Sequence, residues 1–308
     1  TKITQIDKCT IEGYRFSDGW ARNQRVWFRT RFSQPIDNIQ FERTELKTED
    51  GHVTGYGYVA RIMFAADGPS QLTLVTALSA TGQDGAVKNL AAEAPNDDFD
   101  YYRSRAEGQW NQELGRIEVE GGTASQQTTF YTALYHAMIA PTLLNDVDGT
   151  YMGADRKIHH ASGWNNYETC SLWDTYRAAH PFYTIVMADK VDGMVNSLIE
   201  QSEKLGWIPI WGLWGKDTYC MVANHGVSII AEAYHKGFRG FDAERAFNAI
   251  KTTQTVSHRD KSDWEQYMKY GYFASDLTRA ESVSSTLESV YDDYAAWDMA
   301  TLLGKTED

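Results

Sequence analysis

A change of hydrophobic period near residue 100 constrains this chain more than any other feature. Before it, apolar residues recur at every second position; beyond residue 125 they recur at helical spacing. Val26, Phe28, Thr30 and Phe32 alternate with Trp27, Arg29, Arg31 and Ser33, the pattern of a half-buried antiparallel strand that stops at Gln34-Pro35. Further strands are predicted over 38–46, 55–64 and 71–80, divided by the turn clusters Glu49-Asp50-Gly51 and Ala66-Asp67-Gly68-Pro69. Short strands at this spacing build a β-sandwich, but those visible are too few for two closed sheets. A partial sandwich is therefore expected.

The spacing of Tyr101, Tyr102, Arg105, Trp110 and Leu114 predicts a connecting helix over 98–114, followed by a short strand over 116–120 and a Gly121-Gly122 turn. Helices follow over 127–139, 171–187 with a break at His180-Pro181, 189–205, 219–235 and 242–253, the last opened by Asp242 as N-cap. A final helix starts at a capping box, Ser285-Thr286-Leu287-Glu288, and ends at Leu303-Gly304. Helices paired in this way build α/α toroids, and half of such a ring leaves apolar helix faces in water. The expected fold class is α+β and multidomain, with a partial β-sandwich over 1–97, a helical linker over 98–125 and part of an (α/α)6 toroid over 126–308.

Composition narrows the function. A formal net charge of −13 argues against a nucleic-acid surface, which needs clustered Lys and Arg. No run of about 18 apolar residues is present, so no membrane span is expected. The sequence starts at Thr1 without a charged and apolar leader, so any export signal is expected to have been removed or to lie outside it. Cys9, Cys170 and Cys220 have no metal-type spacing and read as buried thiols with at most one bridge. Ten Trp and 18 Tyr fit either an aromatic-rich core or faces that stack on sugar rings.

Four stretches carry groups suited to chemistry. Ser171-Leu172-Trp173-Asp174-Thr175-Tyr176-Arg177 opens a helix; Asp174 is either a first-turn charge or an acceptor for ligand hydroxyls beside a stacking Trp173. Residues 206–218 hold three Trp and three Gly between two helices, as either a binding loop or an aromatic plug, and the lone His225 that follows reads as a satisfied interior group. The Asp146-Val147-Asp148-Gly149 turn faintly resembles a calcium loop but lacks the remaining ligands, so an ordinary acidic turn is the simpler reading. Asp292, Asp293 and Asp298 loosely resemble the acidic segment of isoprenoid synthases, with a solvated or capping role as the default.

Taken together, Glu12 to Trp20, Phe130 to His136, Asp146 to Asp155, Ser171 to Pro181, Lys236 to Asp242 and Ser285 to Glu288 resemble, in collinear order, glycoside hydrolase family 92. These are calcium-dependent, exo-acting α-mannosidases. The resemblance implies hydrolysis of terminal α-linked mannose from glycans, of the α1,2 type and with inversion, by a periplasmic or extracellular enzyme. It also implies that the chain is an internal piece of a longer protein. An inverting glycosidase needs two carboxyl groups about 6.5 to 9.5 Å apart; the family's general acid, its general base and its calcium ligands are expected downstream of Asp308. No catalytic residue and no metal ligand is therefore assigned within the chain, and the fragment alone is expected to be inactive, needing the missing parts of the same polypeptide.

What carries over is substrate contact. Trp173 and Asp174 would line the terminal mannose pocket, and Asp217 and Thr218 would approach it from the Trp-rich loop. The family more often has Glu where this chain has Asp217, one methylene shorter, which leaves linkage preference and that contact open. Two alternatives stand beside this reading: a carbohydrate-binding or catalytically degenerate family member, and a different α/α-toroid enzyme such as a terpene cyclase resting on Asp292, Asp293 and Asp298.

Overall fold

The computed structural model describes residues 1–42, 45–49, 52–56, 59–258, 263–278 and 280–305. Asp50 and Gly51 of the expected turn, residues 43–44 of the 38–46 strand and residues 57–58 of the 55–64 strand lie outside these. One unit comprises Thr1–Arg116, Leu144–Met152 and Ile158–His160; a second comprises Ile117–Leu143, Gly153–Lys157 and Ala161–Asp308.

The alternating front of the chain forms β1 (Lys2–Gln5), β2 (Thr10–Ser17), β3 (Gln24–Phe32), β4 (Ile36–Glu42), β5 (Glu45–Glu49), β6 (His52–Tyr56), β7 (Val59–Phe64) and β8 (Leu74–Ser79). β1 and β2 precede the first strand that alternation predicts. Six of these strands make an antiparallel sheet in the order β5-β6-β1-β2-β3-β8, while β4 and β7 pair separately. Because side chains alternate across a strand, Phe28 and Phe32 of β3 point to the face where Ile11, Ile36, Ile39, Ile62 and Phe64 meet them. The β4–β7 pair thus covers one face of the larger sheet, giving the partial sandwich. On the opposite face Ala77 and Val75 pack against Leu90 and Ala94 of helix α1 (Gln83–Glu93) and its end. Periodicity does not reveal α1, which buries Gly85 and Asn89 beside its apolar residues. A Cβ on Gly85 would lie 2.3 Å from Asp146 Oδ2, so only glycine allows that approach. Helix α2 (Phe99–Leu114) forms where expected, capped by Asp98.

In the second unit α3 (Ala124–Ala137) opens with a Thr123/Gln126 capping box. After β9 (Thr142–Leu143), the strands β10 (Thr150–Met152) and β11 (Ile158–His160) pair as a hairpin of the first unit. The chain then continues through β12 (Tyr167–Glu168), α4 (Leu172–Thr175), α5 (Ala179–Val186), α6 (Ala188–Leu205), β13 (Gly212–Leu213) and β14 (Lys216–Asp217). It ends with α7 (Gly226–His235), α8 (Ala243–Thr255), α9 (Trp264–Tyr270) and α10 (Ser282–Leu302). Val195 and Leu198 of α6, Val227 and Ile230 of α7, Ala246 and Ile250 of α8 and Met299 of α10 belong to one continuous buried cluster. Gly206, left-handed at φ 93°, ends α6 as its sequence predicts. Helix α10 leaves Val283, Leu287, Val290, Tyr294 and Trp297 exposed, the uncovered apolar face expected of part of an (α/α)6 toroid.

Five local expectations are corrected. The break expected at His180-Pro181 falls instead at residues 176–178, and both residues sit in the first turn of α5, where a proline's missing N–H has no partner to lose. Residues 116–120 form no strand, because the turn after α2 leads directly to the cap of α3. Helix α7 starts at Gly226 rather than 219, since Tyr219, Met221 and Ala223 have positive φ and cannot join a right-handed helix. The Ser285 capping box does not form: α10 begins at Ser282 after a left-handed Glu281, and Ser285 is buried inside the helix. Helix α9, absent from the sequence reading, is capped by Asp263 and ended by Gly271.

Candidate functional site

The two stretches singled out by their residue types meet in the second unit. Cys170 and Gly212 form an antiparallel bridge, with N–H to O distances of 2.9 and 3.1 Å, and Gly212 pairs in turn with Asp217 across the β13–β14 hairpin. One ladder of three residues therefore joins the segment leading to Trp173-Asp174 with the Trp-rich loop. Leu172, fully buried, anchors the short α4. Trp173 is half-buried, with its indole N–H shielded from solvent and without a hydrogen-bond partner. Asp174 is exposed, and its carboxylate accepts the Ser171 hydroxyl rather than capping a backbone N–H. It remains accessible to a ligand's hydroxyl groups.

Asp217 faces inward. Oδ2 accepts the Trp207 indole N–H at 3.1 Å and the Ile210 N–H at 3.0 Å, and Oδ1 accepts the N–H groups of Trp211 at 3.2 Å and Tyr219 at 2.8 Å. Four donors on one carboxylate make it the organiser of the loop. Thr218 is half-buried, its hydroxyl accepting the Cys220 N–H at 3.3 Å. At the hairpin turn Glu168 Oε1 accepts the Gly215 N–H at 3.0 Å, and Arg156 donates to the Trp214 carbonyl at 3.2 Å. Burial pushes the Glu168 carboxyl up to about 7, against the opposing pull of the Thr169 and Gly215 N–H groups and of Arg156.

Backbone strain marks the same place. Among the described residues eight non-glycine residues have positive φ; five of them, Thr169, Trp214, Tyr219, Met221 and Ala223, lie in this segment or in the loop and its continuation to α7, and a sixth, Arg156, donates to the Trp214 carbonyl. Such conformations persist only where the surroundings enforce them, and they gather at ligand sites.

Sequence reasoning missed a buried polar cluster behind α4. His225 is enclosed, with Nδ1 2.9 Å from Asp292 Oδ1 and Nε2 3.0 Å from Glu288 Oε2. The first is a hydrogen bond; the second is a close approach without aligned hydrogen-bond geometry. The Tyr176 ring stacks on His225 at 3.7 Å, and its hydroxyl donates to Glu288 Oε2 at 2.7 Å. Arg177 pairs with Glu288 Oε1 at 2.7 Å, and the Asn224 N–H donates to Asp292 Oδ2 at 3.0 Å. Burial pushes the Asp292 carboxyl upward, against the hydrogen bond from His225. The available signal was helical: Ser285, Ser289 and Asp292 recur at the spacing of one helix face, which marks a polar stripe of α10 that the structure buries.

The default solvated role is overturned for Asp292 and Asp293, which are taken up internally, while Asp298 keeps a partly exposed surface pairing. Asp293 accepts the Tyr267 hydroxyl at 2.8 Å and the Gln254 amide at 3.0 Å, while Asp298 pairs with His235 at 2.8 Å. The acids of the Asp146 turn are equally committed. In the first unit Asp146 accepts Ser79, Thr81 and Asn89, and Asp148 pairs with Lys88 at 2.7 Å. Among the described residues no group of three or more His, Cys, Asp or Glu side chains is placed to hold a metal ion. No helix of the described residues is long and apolar enough to cross a membrane.

Comparison with known proteins places this geometry. Residues 85–308 match the glycosyl hydrolase family 92 catalytic domain. A family GH92 α-mannosidase from Bacteroides thetaiotaomicron, solved also in complex with mannoimidazole, is 34% identical, with a TM-score of 0.90 over 99% of this chain and 42% of its own. A family GH92 inverting mannosidase from Bacteroides thetaiotaomicron VPI-5482 is 28% identical, with a TM-score of 0.83 over 99% of this chain and 43% of its own. An uncharacterized secreted glycosidase of Arthroderma benhamiae is 24% identical over 267 residues, 81% of this chain and 30% of that protein. The chain belongs to glycosyl hydrolase family 92, and it spans less than half the length of these relatives.

Proposed function

We propose that the chain supplies the sugar-positioning wall of an α-mannosidase that removes terminal α-linked mannose from glycans, acting on α1,2 linkages with inversion. On this reading residues 1–97 belong to the β-sandwich, 98–125 link it, and 126–308 form the first half of the catalytic toroid. The enzyme works in the periplasm or outside the cell, in keeping with the secreted fungal relative. The observation that carries the proposal is the Cys170–Gly212–Asp217 ladder, which sets the half-buried Trp173 and the exposed Asp174 beside a strained aromatic loop. An indole face covers the apolar side of a sugar ring, and a carboxylate accepts from its hydroxyls, so the pair orients a pyranose without performing the chemistry. Thr218 and the loop shaped by Asp217 extend the contact toward the next sugar. The general acid and base belong elsewhere in the polypeptide, as do the ligands of the calcium that the family implies; calcium suits vicinal hydroxyls because it takes oxygen ligands in adaptable geometry.

The full-length protein tests this on linkage-defined mannobioses. Asp174→Asn should lower kcat/KM about 10- to 100-fold, the effect of losing a hydrogen bond to a charged group. Trp173→Ala should have an effect of similar direction, and chelation should abolish turnover until calcium is restored. Unchanged kcat/KM for Asp174→Asn would overturn the assigned role. Binding of mannobiose without turnover by the wild type would identify a binding member instead.

A further inference from the structure

We infer that Glu288 is a positioning residue, which clamps the segment carrying Trp173 and Asp174 through Tyr176 and Arg177 and is itself held by the buried His225–Asp292 pair. The inference rests on the sugar-positioning role proposed above for Trp173 and Asp174. Helix α4 is a single turn, Leu172–Thr175, and its opening residue Ser171 makes no side-chain cap. A turn this short has no stability of its own, because the cost of its first hydrogen bonds is not repaid by later ones. Something outside it must fix the direction in which Trp173 and Asp174 project. On one side Leu172 is buried in the core. On the other, the next two residues both end on one carboxylate: the Tyr176 hydroxyl on Glu288 Oε2 and the Arg177 guanidinium on Oε1, each at 2.7 Å.

Glu288 is in turn placed from behind. His225, enclosed, packs between it and Asp292: Nε2 lies 3.0 Å from Glu288 Oε2, and Nδ1 is hydrogen-bonded to Asp292 Oδ1, whose second oxygen accepts the Asn224 N–H at the end of the strained 214–223 stretch. The Tyr176 ring lies 3.7 Å from that imidazole at an interplanar angle of 13°, so ring and hydroxyl of one side chain read the positions of both His225 and Glu288. The Trp-rich loop and the α4 turn therefore share a single buried anchor. A shift of Glu288 would move Tyr176, and with it Asp174 two residues before.

The test uses the full-length protein and a double-mutant cycle on a mannobiose. Glu288→Ala should raise KM about 10-fold with kcat changed less than about 3-fold, and Glu288→Gln, which keeps an acceptor for Tyr176, should recover part of that loss. In an Asp174→Asn background the KM effect of Glu288→Ala should shrink to about 2-fold, since both changes disable one contact. A KM unmoved by Glu288→Ala, or full additivity with Asp174→Asn, would overturn the clamp. A second readout is independent of turnover. In 5-fluorotryptophan-labelled protein, the Trp173 resonance, assigned by Trp173→Phe, should shift or broaden in Glu288→Ala and in Tyr176→Phe. An unchanged resonance would refute the clamp even if the protein proved to act on another substrate, whereas a changed resonance without mannoside turnover would uphold the clamp and refute the mannosidase reading.

Discussion

In the β unit three buried side chains, Ile11, Phe32 and Ile36, form the centre of the core between the two sheets, and half-buried neighbours complete it. In the helical unit a continuous cluster runs from Tyr167 to Ala300, and α6 alone buries ten of its 18 residues. The contrast follows from geometry. A strand can turn only alternate residues inward, and a second layer must cover them; where cover is lacking, as over Leu74 and Leu78 of β8, apolar side chains stay in water. A helix flanked by α5, α7 and α8 buries most of its circumference. The candidate site stands on the more densely packed unit, which holds its side chains in fixed positions.

Truncating a core residue of the helical unit should have the largest effect. Leu198→Ala removes a side chain only 1% exposed in the middle of α6, and should cost about 2 to 5 kcal/mol in denaturant unfolding. A loss below about 1 kcal/mol would erase the proposed contrast between the units. Next comes Glu168, whose carboxyl is lifted by burial from an unfolded value of 4.5 to about 7. The folded state keeps a proton that the unfolded chain has released, so this group's stabilising contribution is complete below pH 4.5, declines as pH rises to about 7 and is lost above it. The loss amounts to at most about 3 kcal/mol at 1.36 kcal/mol per unit. Glu168→Gln retains an acceptor for the Gly215 N–H, and its stability between pH 4.5 and 7 should lack that downward slope; an identical slope would show that Glu168 is not its source. The smallest effect is expected in the β unit, where Leu78→Ala, at a side chain 59% exposed, should change stability by no more than about 0.5 kcal/mol. A larger loss would mean that the outer face of β8 is packed in solution.

Much of this was legible in the sequence. The alternation of β3, the Gly206 stop of α6 and the Asp242 cap of α8 are local signals, and each forms as read. The pairing of Trp173-Asp174 with the Trp-rich loop was legible only as two separate clusters of suitable residue types. Errors fell where distant groups decide local conformation. Tyr219, Met221 and Ala223 look helical in sequence, but the carboxylates of Asp217 and Asp292 take the N–H groups of Tyr219 and Asn224 and hold the stretch open. Ser285-Thr286-Leu287-Glu288 has the spacing of a capping box, yet Glu288 is drawn to Arg177 and Tyr176, more than a hundred residues away in the chain.

The sequence by itself determined the order of β and α parts, most helix boundaries and which residue types gather in the candidate site. Those depend on period, caps and glycines, which act within a few residues. Only the tertiary structure decided which acids remain open to a ligand. Asp174 stays exposed, whereas Asp217, Asp292 and Asp293 are taken up by internal donors. A carboxylate's role depends on the donors that reach it: those on Asp217 come from its own loop once that loop closes on itself, whereas those on Asp292 and Asp293 are brought by the fold from other helices and loops.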